Sequence, residues 1–247
     1  MNFENLDKLP DQAKKVLEPF LSEIYDVFGQ EIISIFVYGS ITGSDYNPRR
    51  SDINAAIVTK EFPFESLKPI LKTVRNGIKH KISAPLFLTP AYIKMSLDTF
   101  PMEFMSMKDS RRVLYGEDVL ENVEVKAEDL RRECEYQIKG KIITIRQAYL
   151  EQGLRARGIE KLIKASFRAL IPVFYAILRI KLSQVPPRGK EEILCQLSEE
   201  CGVDVASFLE VLRDKKNDGC IAGKEAEVFL KDFLFQLGTL ADMVDKM

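Results

Sequence analysis

The residues with types and spacing suited to chemistry gather in "FVYGSITGSDYNPRRSDINAAIV", residues 36 to 58. An apolar run ends at Gly39-Ser40, a polar loop follows, and Ser51-Asp52 opens a second apolar run. A chain that bends at Gly39 can bring its backbone close to a phosphate, because glycine has no side chain to collide with it. The Ser40 hydroxyl and the next backbone N–H groups could then hold phosphate oxygens, more so if a helix starts at Ile41. Residues 52 and 54 lie two apart on an extended chain, so their side chains share a face with Cα atoms roughly 7 Å apart. Such a pair can converge on one cation or on two neighbours, which two-metal sites hold about 3.5–4 Å apart. A third carboxylate from another strand would complete the cage, and Glu103 in "PMEFMS" is the candidate. Position 54, however, is Asn54 where a second aspartate would be expected.

These residues need rigid elements to carry them. Apolar positions at Ala13, Val16, Leu17, Phe20, Leu21, Ile24 and Phe28 have helical spacing over 11 to 28. "EIISIFVY" (31 to 38) is β-branched and aromatic and stops at glycine, which predicts a strand. Residues 52 to 59 read as a second strand, 64 to 79 as a helix, 85 to 89 as a short strand and 90 to 98 as a short helix. "MEFMSMK" (102 to 108) is read as a strand carrying Glu103. From about residue 127 the pattern turns wholly helical: Leu130, Cys134, Ile138, Ile142, Ile145 and Tyr149 make one apolar face. A second long helix is predicted over 159 to 182, with Pro172 expected to kink or break it. Helices near 190 to 199, 204 to 214 and 224 to 246 follow. The fold class is therefore α+β, a mixed sheet with helices followed by an all-α bundle. The expected domains are 1–122 and 123–247, the boundary falling within the acidic stretch 118 to 128.

Composition bounds the function. The 247 residues carry 36 Lys and Arg against 37 Asp and Glu. That balance argues against a dedicated nucleic-acid binder, which shows a basic excess. Four cysteines, at 134, 195, 201 and 220, form no CxxC pair, and His80 is the single histidine. A zinc site is not expected, since its ligands come in close pairs; the thiols are read as free and reduced. The start, "MNFENLDKLPDQAKK", is polar and acidic and is not read as a signal peptide. The most apolar run, "ALIPVFYAIL", is about half the length needed to cross a bilayer. No membrane partner is expected, and the expected location is cytoplasmic.

GS, a loop, then SDxD on the following strand resembles the signature of the DNA polymerase β-like nucleotidyltransferase superfamily, on "VYGS…RSDINAAIV" with "FPMEF" downstream. The helical half, including "RRECEYQIKGKIITIRQAYL", resembles the C-terminal bundle of small bacterial members, the kanamycin nucleotidyltransferase-like and minimal nucleotidyltransferase proteins. The motif covers about the first 108 residues, and the bundle is matched mainly in order and length. The resemblance implies transfer of a nucleoside monophosphate from a nucleoside triphosphate (NTP), such as ATP, to a hydroxyl, with two Mg²⁺ ions, in a cleft between domains. By position, it implies that Gly39, Ser40 and Ser51 hold the triphosphate, that Asp52 binds both metals, that position 54 binds the catalytic metal, and that Glu103 binds metal and orients or deprotonates the acceptor. Asn54 departs from this pattern. A neutral amide oxygen replaces a carboxylate in a cage for an ion that prefers hard anionic oxygens, so a weakened Mg²⁺ site is expected.

Several charges stay open between two roles. Arg49 and Arg50 could contact phosphate or be solvated loop arginines. Lys161, Lys164 and Arg168 share a helix face and could approach a triphosphate or pair with acidic neighbours. Glu133, Glu135 and Glu151 could supply a general base or be solvated helix carboxylates. The helical half also invites comparison with the HEPN ribonucleases that accompany minimal nucleotidyltransferases. Their chemistry needs an arginine and a nearby histidine, and no histidine follows His80. Two functions remain: NTP–Mg²⁺ binding with transfer to a small-molecule or protein hydroxyl, and a catalytically degenerate nucleotide-sensing or partner-binding module. The acceptor is not specified, and assembly as a homodimer is open.

Overall fold

A computed structural model describes residues 3–43, 46–152, 156–214, 221 and 226–247. Cys220 and the expected first two residues of the last helix, 224 and 225, lie outside the described residues. The chain forms two compact units, Met1–Val125 and Lys126–Met247.

In the first unit, helix α1 (Asp11–Phe28) precedes strand β1 (Ile32–Tyr38), and a short 3-10 turn at Gly39–Thr42 follows. Then come β2 (Asn54–Thr59), α2 (Leu71–Lys79), β3 (Leu86–Leu88), α3 (Pro90–Met95), α4 (Pro101–Ser110) and β4 (Arg112–Gly116). Residues 64 to 70, read as the start of α2, form a 3-10 segment containing Pro69, whose missing N–H and fixed φ disfavour an α-helix interior. The strands form one mixed sheet in the order β3-β2-β1-β4. β1 runs antiparallel to β2 and β4, and β2 runs parallel to β3.

Both faces of the sheet are covered. Alternate residues Ile35, Val37, Ala55 and Ile57 pack with Leu17, Leu21 and Ile24 of α1. The intervening Phe36, Ala56 and Val58 pack with Phe104 and Met107 of α4. Burial on both sides explains why "IISIFVY" is almost continuously apolar rather than alternating. β4 ends at Gly116, whose φ of +74° and lack of a Cβ are both required: a Cβ there would lie 2.0 Å from the Ile33 carbonyl oxygen.

One element differs in kind from the expectation. Residues 102 to 108 are not a strand but the body of α4. Pro101 opens the helix, where a missing N–H costs nothing. Pro101, Phe104, Met107 and Ser110 are its buried residues, a three-residue step that fits a helix lying on the sheet, not a pleated ribbon. The strand follows it, at Arg112–Gly116, with Val113 opposite Phe36 and Arg112 opposite Val37.

The second unit is helical: α5 (Ala127–Gln152), α6 (Ala156–Leu182), α7 (Lys190–Cys201), α8 (Ala206–Asp214) and α9 (Ala226–Asp245). Pro172 does not break α6, which is one helix on both sides of it. Phe167, Phe174, Phe208 and Phe233 are fully buried and form a chain of ring contacts across α6, α8 and α9. No helix among the described residues is long and apolar enough to cross a membrane.

Candidate nucleotide site

The bend after β1 is built from Gly39 outward. Its φ of +81° lies in the left-handed region that favours glycine. Its N–H donates to the Ser110 hydroxyl at 2.9 Å, and that hydroxyl donates to the Ser106 carbonyl at 2.6 Å. The Gly39 carbonyl accepts from the Thr42 hydroxyl at 2.9 Å. So both backbone groups of Gly39 are used inside the protein. Ser40 is half-buried, and among the described residues its hydroxyl has no hydrogen-bond partner.

The loop before β2 closes on Asn47. The Ser51 N–H donates to the Asn47 carbonyl at 2.7 Å, and the Ser51 hydroxyl accepts from the Asn47 N–H at 3.1 Å. Ser51 thus holds its own loop. The Asn47 side chain accepts from the Arg49 N–H at 2.9 Å, and Lys81 Nζ donates to the Arg49 carbonyl at 2.6 Å. Arg49 and Arg50 are exposed.

Asp52 stands just ahead of β2, exposed, with no side-chain hydrogen bond or ion pair to any described residue. The next peptide is fixed: Ile53 is buried, its N–H donates to the Lys81 carbonyl at 2.7 Å, and its carbonyl accepts from the Ser83 N–H at 3.0 Å. Ile53 belongs to the core on the α1 face. Asn54, of opposite parity, takes the α4 face and pairs with Tyr38 across the ladder. A Cβ on Gly39 would lie 3.4 Å from Asn54 Nδ2, which places that side chain against the bend. Tyr38 packs on the same face, and burial pushes its phenol above the ordinary value, so it stays a neutral donor.

Glu103 is exposed on the first turn of α4. With Ser106 and Ser110 it follows the 3- and 7-residue spacing of one helix face. Seven residues separate it from Ser110, roughly 10 Å along the axis, so it stands two turns from the contact with Gly39 rather than on a neighbouring strand.

Two further observations bear on a metal. None of the described strands, Ile32–Tyr38, Asn54–Thr59, Leu86–Leu88 and Arg112–Gly116, contains an aspartate or glutamate. Among the described residues no group of three or more histidine, cysteine, aspartate or glutamate side chains is placed to hold an ion. With an amide at Asn54, residues 52 and 54 offer a two-ion carboxylate cage one charge fewer than it would use. Mg²⁺ binds through one or two carboxylates plus substrate phosphates; were one bound here, Asp52 would be the carboxylate and Asn54 a neutral neighbour.

In the second unit, Lys164 Nζ lies 2.5 Å from Glu160 and 2.7 Å from Asp214. These carboxylates, Asp214 foremost, raise its pKa. Lys161 and Arg168 are exposed. Glu135 is paired with Arg131 and Lys139, whose hydrogen bonds hold its carboxyl below the usual value, Lys139 contributing most. Glu133 is half-buried and Glu151 exposed. His80 is exposed, with Nδ1 3.0 Å from the Asn76 carbonyl. Cys134 is buried, which pushes its thiol to about 12; Cys195 is exposed and Cys201 half-buried, and both are free.

Sequence inspection does not single out Ser110, Asn47 or Tyr38. Tyr38 carries a signal, its place directly before Gly39. Ser110 carries none, because its contact with Gly39 spans 71 positions.

This architecture is similar to that of spectinomycin adenyltransferase AAD(9) from Enterococcus faecialis, solved with ATP and spectinomycin. The TM-score is 0.57 and the identity 11%, over 91% of this chain and 98% of that one. No protein-family model and no curated protein matches the sequence. At that identity the likeness is one of fold: a mixed sheet with helices, followed by a helical bundle.

Proposed function

We propose that the chain binds a nucleoside triphosphate at the Gly39-Ser40 bend, with one Mg²⁺ between Asp52 and the phosphates, and that it senses the nucleotide rather than turning it over. Ser40 offers its hydroxyl to the phosphates, and Arg50 offers a guanidinium that can take two phosphate oxygens at once. Asp52 is the ion's protein anchor, with the Asn54 amide oxygen as a weak second donor. The bound ion supplies charge neutralisation of the triphosphate.

The observation that carries this reading is the pair at the mouth of β2: Asp52 is exposed and meets no described side chain, and Asn54, against the Gly39 bend, brings an amide where a second carboxylate would be expected. Transfer would require an acceptor oxygen to attack the α-phosphorus while the bond to pyrophosphate breaks. Two ions normally stabilise the attacking and leaving oxygens, and with Asn54 the pair at residues 52 and 54 carries one negative charge where two would be expected. Calorimetric titration of the four common triphosphates, with and without Mg²⁺, tests the proposal. Mg²⁺-dependent binding without pyrophosphate release supports it. Failure of every triphosphate to bind overturns it.

The second reading is nucleotidyl transfer to a small-molecule or protein hydroxyl, with Glu103 oriented toward the acceptor. What favours it is the fold likeness to a protein solved with both ATP and a small molecule. Pyrophosphate release in an acceptor panel, lost in Asp52→Ala, would decide for it.

A further inference from the structure

The outward faces of α5 and α9 carry a pattern that the core does not use. On α5, Tyr136, Ile143 and Leu150 recur every seven residues, and on α9 Val228 and Phe235 do the same. All five are between 57% and 80% exposed. Large apolar side chains scattered singly need no explanation, but five in register on two adjacent helices do.

The helices are antiparallel neighbours. The Tyr149 hydroxyl donates to Glu227 at 2.5 Å near one end, and Arg131 reaches the Val244 carbonyl at 3.4 Å near the other. A groove of about 850 Å³ lies at the end where they carry Tyr149 and Val228, and Phe235 lines it.

Charge follows the same rhythm. Between its apolar positions, the α5 seam carries Arg132, Lys139 and Arg146, giving an alternating 4-3-4-3-4 spacing from Arg132 to Leu150. The α9 seam carries Asp232 and Asp242 about Phe235, with Lys231 at its edge. One helix is therefore apolar and basic, and its neighbour apolar and acidic. Arg132 pairs with Asp129 on its own helix, and Lys139 pairs with Glu135 on its own helix and with Asp245 at the end of α9, 3.8 Å away. Arg146 and Asp232 form no ion pair with any described residue.

We infer that this face is an interface between two copies of the chain, related by a two-fold axis that sets α5 of each against α9 of the other. A two-fold interface must be self-complementary, with each contact made twice. A basic-apolar seam beside an acidic-apolar seam meets that requirement: rotation by 180° lays like on unlike for charge and apolar on apolar. The aromatic Tyr136 and Phe235, with Ile143, form the buried centre, and the charges form the rim. The proposal is independent of nucleotide binding.

The test uses the full chain and reads its mass in solution by sedimentation, up to about 200 µM. The wild type is dimeric. Ile143→Glu with Phe235→Glu is monomeric and keeps the wild-type helical circular dichroism. Two charge variants decide the geometry. Lys139→Glu with Arg146→Glu makes the α5 seam acidic, and Asp232→Lys with Asp242→Lys makes the α9 seam basic. Each alone self-associates at least about tenfold more weakly, because like charges then face each other twice. Mixed one to one they form a heterodimer, since each contact again pairs unlike charges. A monomeric wild type overturns the inference. So does self-association of either folded charge variant at wild-type strength, or failure of the mixture to restore the dimer.

Discussion

In the second unit the Lys164 ammonium sits between Glu160 and Asp214, while at the corner of the sheet Asp52 is exposed and meets no described side chain. From the sequence, both are charged residues that could meet a triphosphate and its metal. They differ in what their own chain supplies. Asp214 is almost wholly buried, with a side-chain exposure of 1%, so its charge demands compensation and Lys164 supplies an opposite charge at 2.7 Å. Asp52 faces solvent, and only the backbone around it is fixed, through the paired Ile53 peptide. A charge consumed by the fold is part of the scaffold. A charge left free on rigid backbone is available to a ligand.

That contrast can be broken at its stronger end first. Lys164→Met removes the ammonium beside the buried Asp214 carboxylate and is expected to destabilise the helical unit by about 3 kcal/mol, read from urea unfolding. The wild-type pair also sets a pH dependence. Lys164 has its pKa raised in the folded state, so its contribution is complete below the ordinary lysine value of about 10.4 and fades as pH rises through the higher folded value. Lys164→Met should lack that alkaline loss of stability.

Ser110→Ala comes next. It leaves the Gly39 N–H without its acceptor and is expected to cost about 1–2 kcal/mol, together with weaker triphosphate binding as the bend loosens. Wild-type unfolding and wild-type affinity would show that Ser110 does not hold the bend. Asn54→Asp restores a carboxylate two residues from Asp52, and Mg²⁺ affinity in the presence of triphosphate should rise about tenfold, equivalent to about 1.4 kcal/mol. Unchanged affinity would mean that position 54 does not face the ion. The smallest effect on stability belongs to Asp52→Ala, expected within about 0.5 kcal/mol of wild type. The same variant should lose all Mg²⁺-dependent nucleotide binding in calorimetry. A large drop in stability would place Asp52 with Lys164, in the scaffold.

Much of the first unit can be read along the chain because its signals are local. Helix α1 covers the predicted residues 11 to 28, and β1 ends at the expected glycine. The misreading at 102 to 108 has a definite cause. Met102, Phe104 and Met107 mix with polar residues in a way that fits both a two-residue and a three-to-four-residue period. Only the packing of Phe104 and Met107 on Phe36 and Val58 selects the helix. The misreading put Glu103 on a strand near Asp52, whereas it stands on a helix two turns from the bend. Pro172 misleads for a similar reason. A proline breaks a helix in water, but α6 buries residues on both sides of it, Leu170 and Val173 among them, and that burial outweighs the lost hydrogen bond.

The order of residues alone settles most of the run of helices and strands, residues 101 to 116 excepted, the glycine bend at 39, and the Asp52–Asn54 pair with its missing charge. These depend on spacing and on residue type at single positions, and neighbours in the chain carry them. Three-dimensional packing assigns Ser110 to Gly39, Lys164 to Asp214 and α4 to the sheet face that Asn54 shares. Those pairings join residues tens of positions apart, where the chain holds no local record of which polar group will be buried beside which.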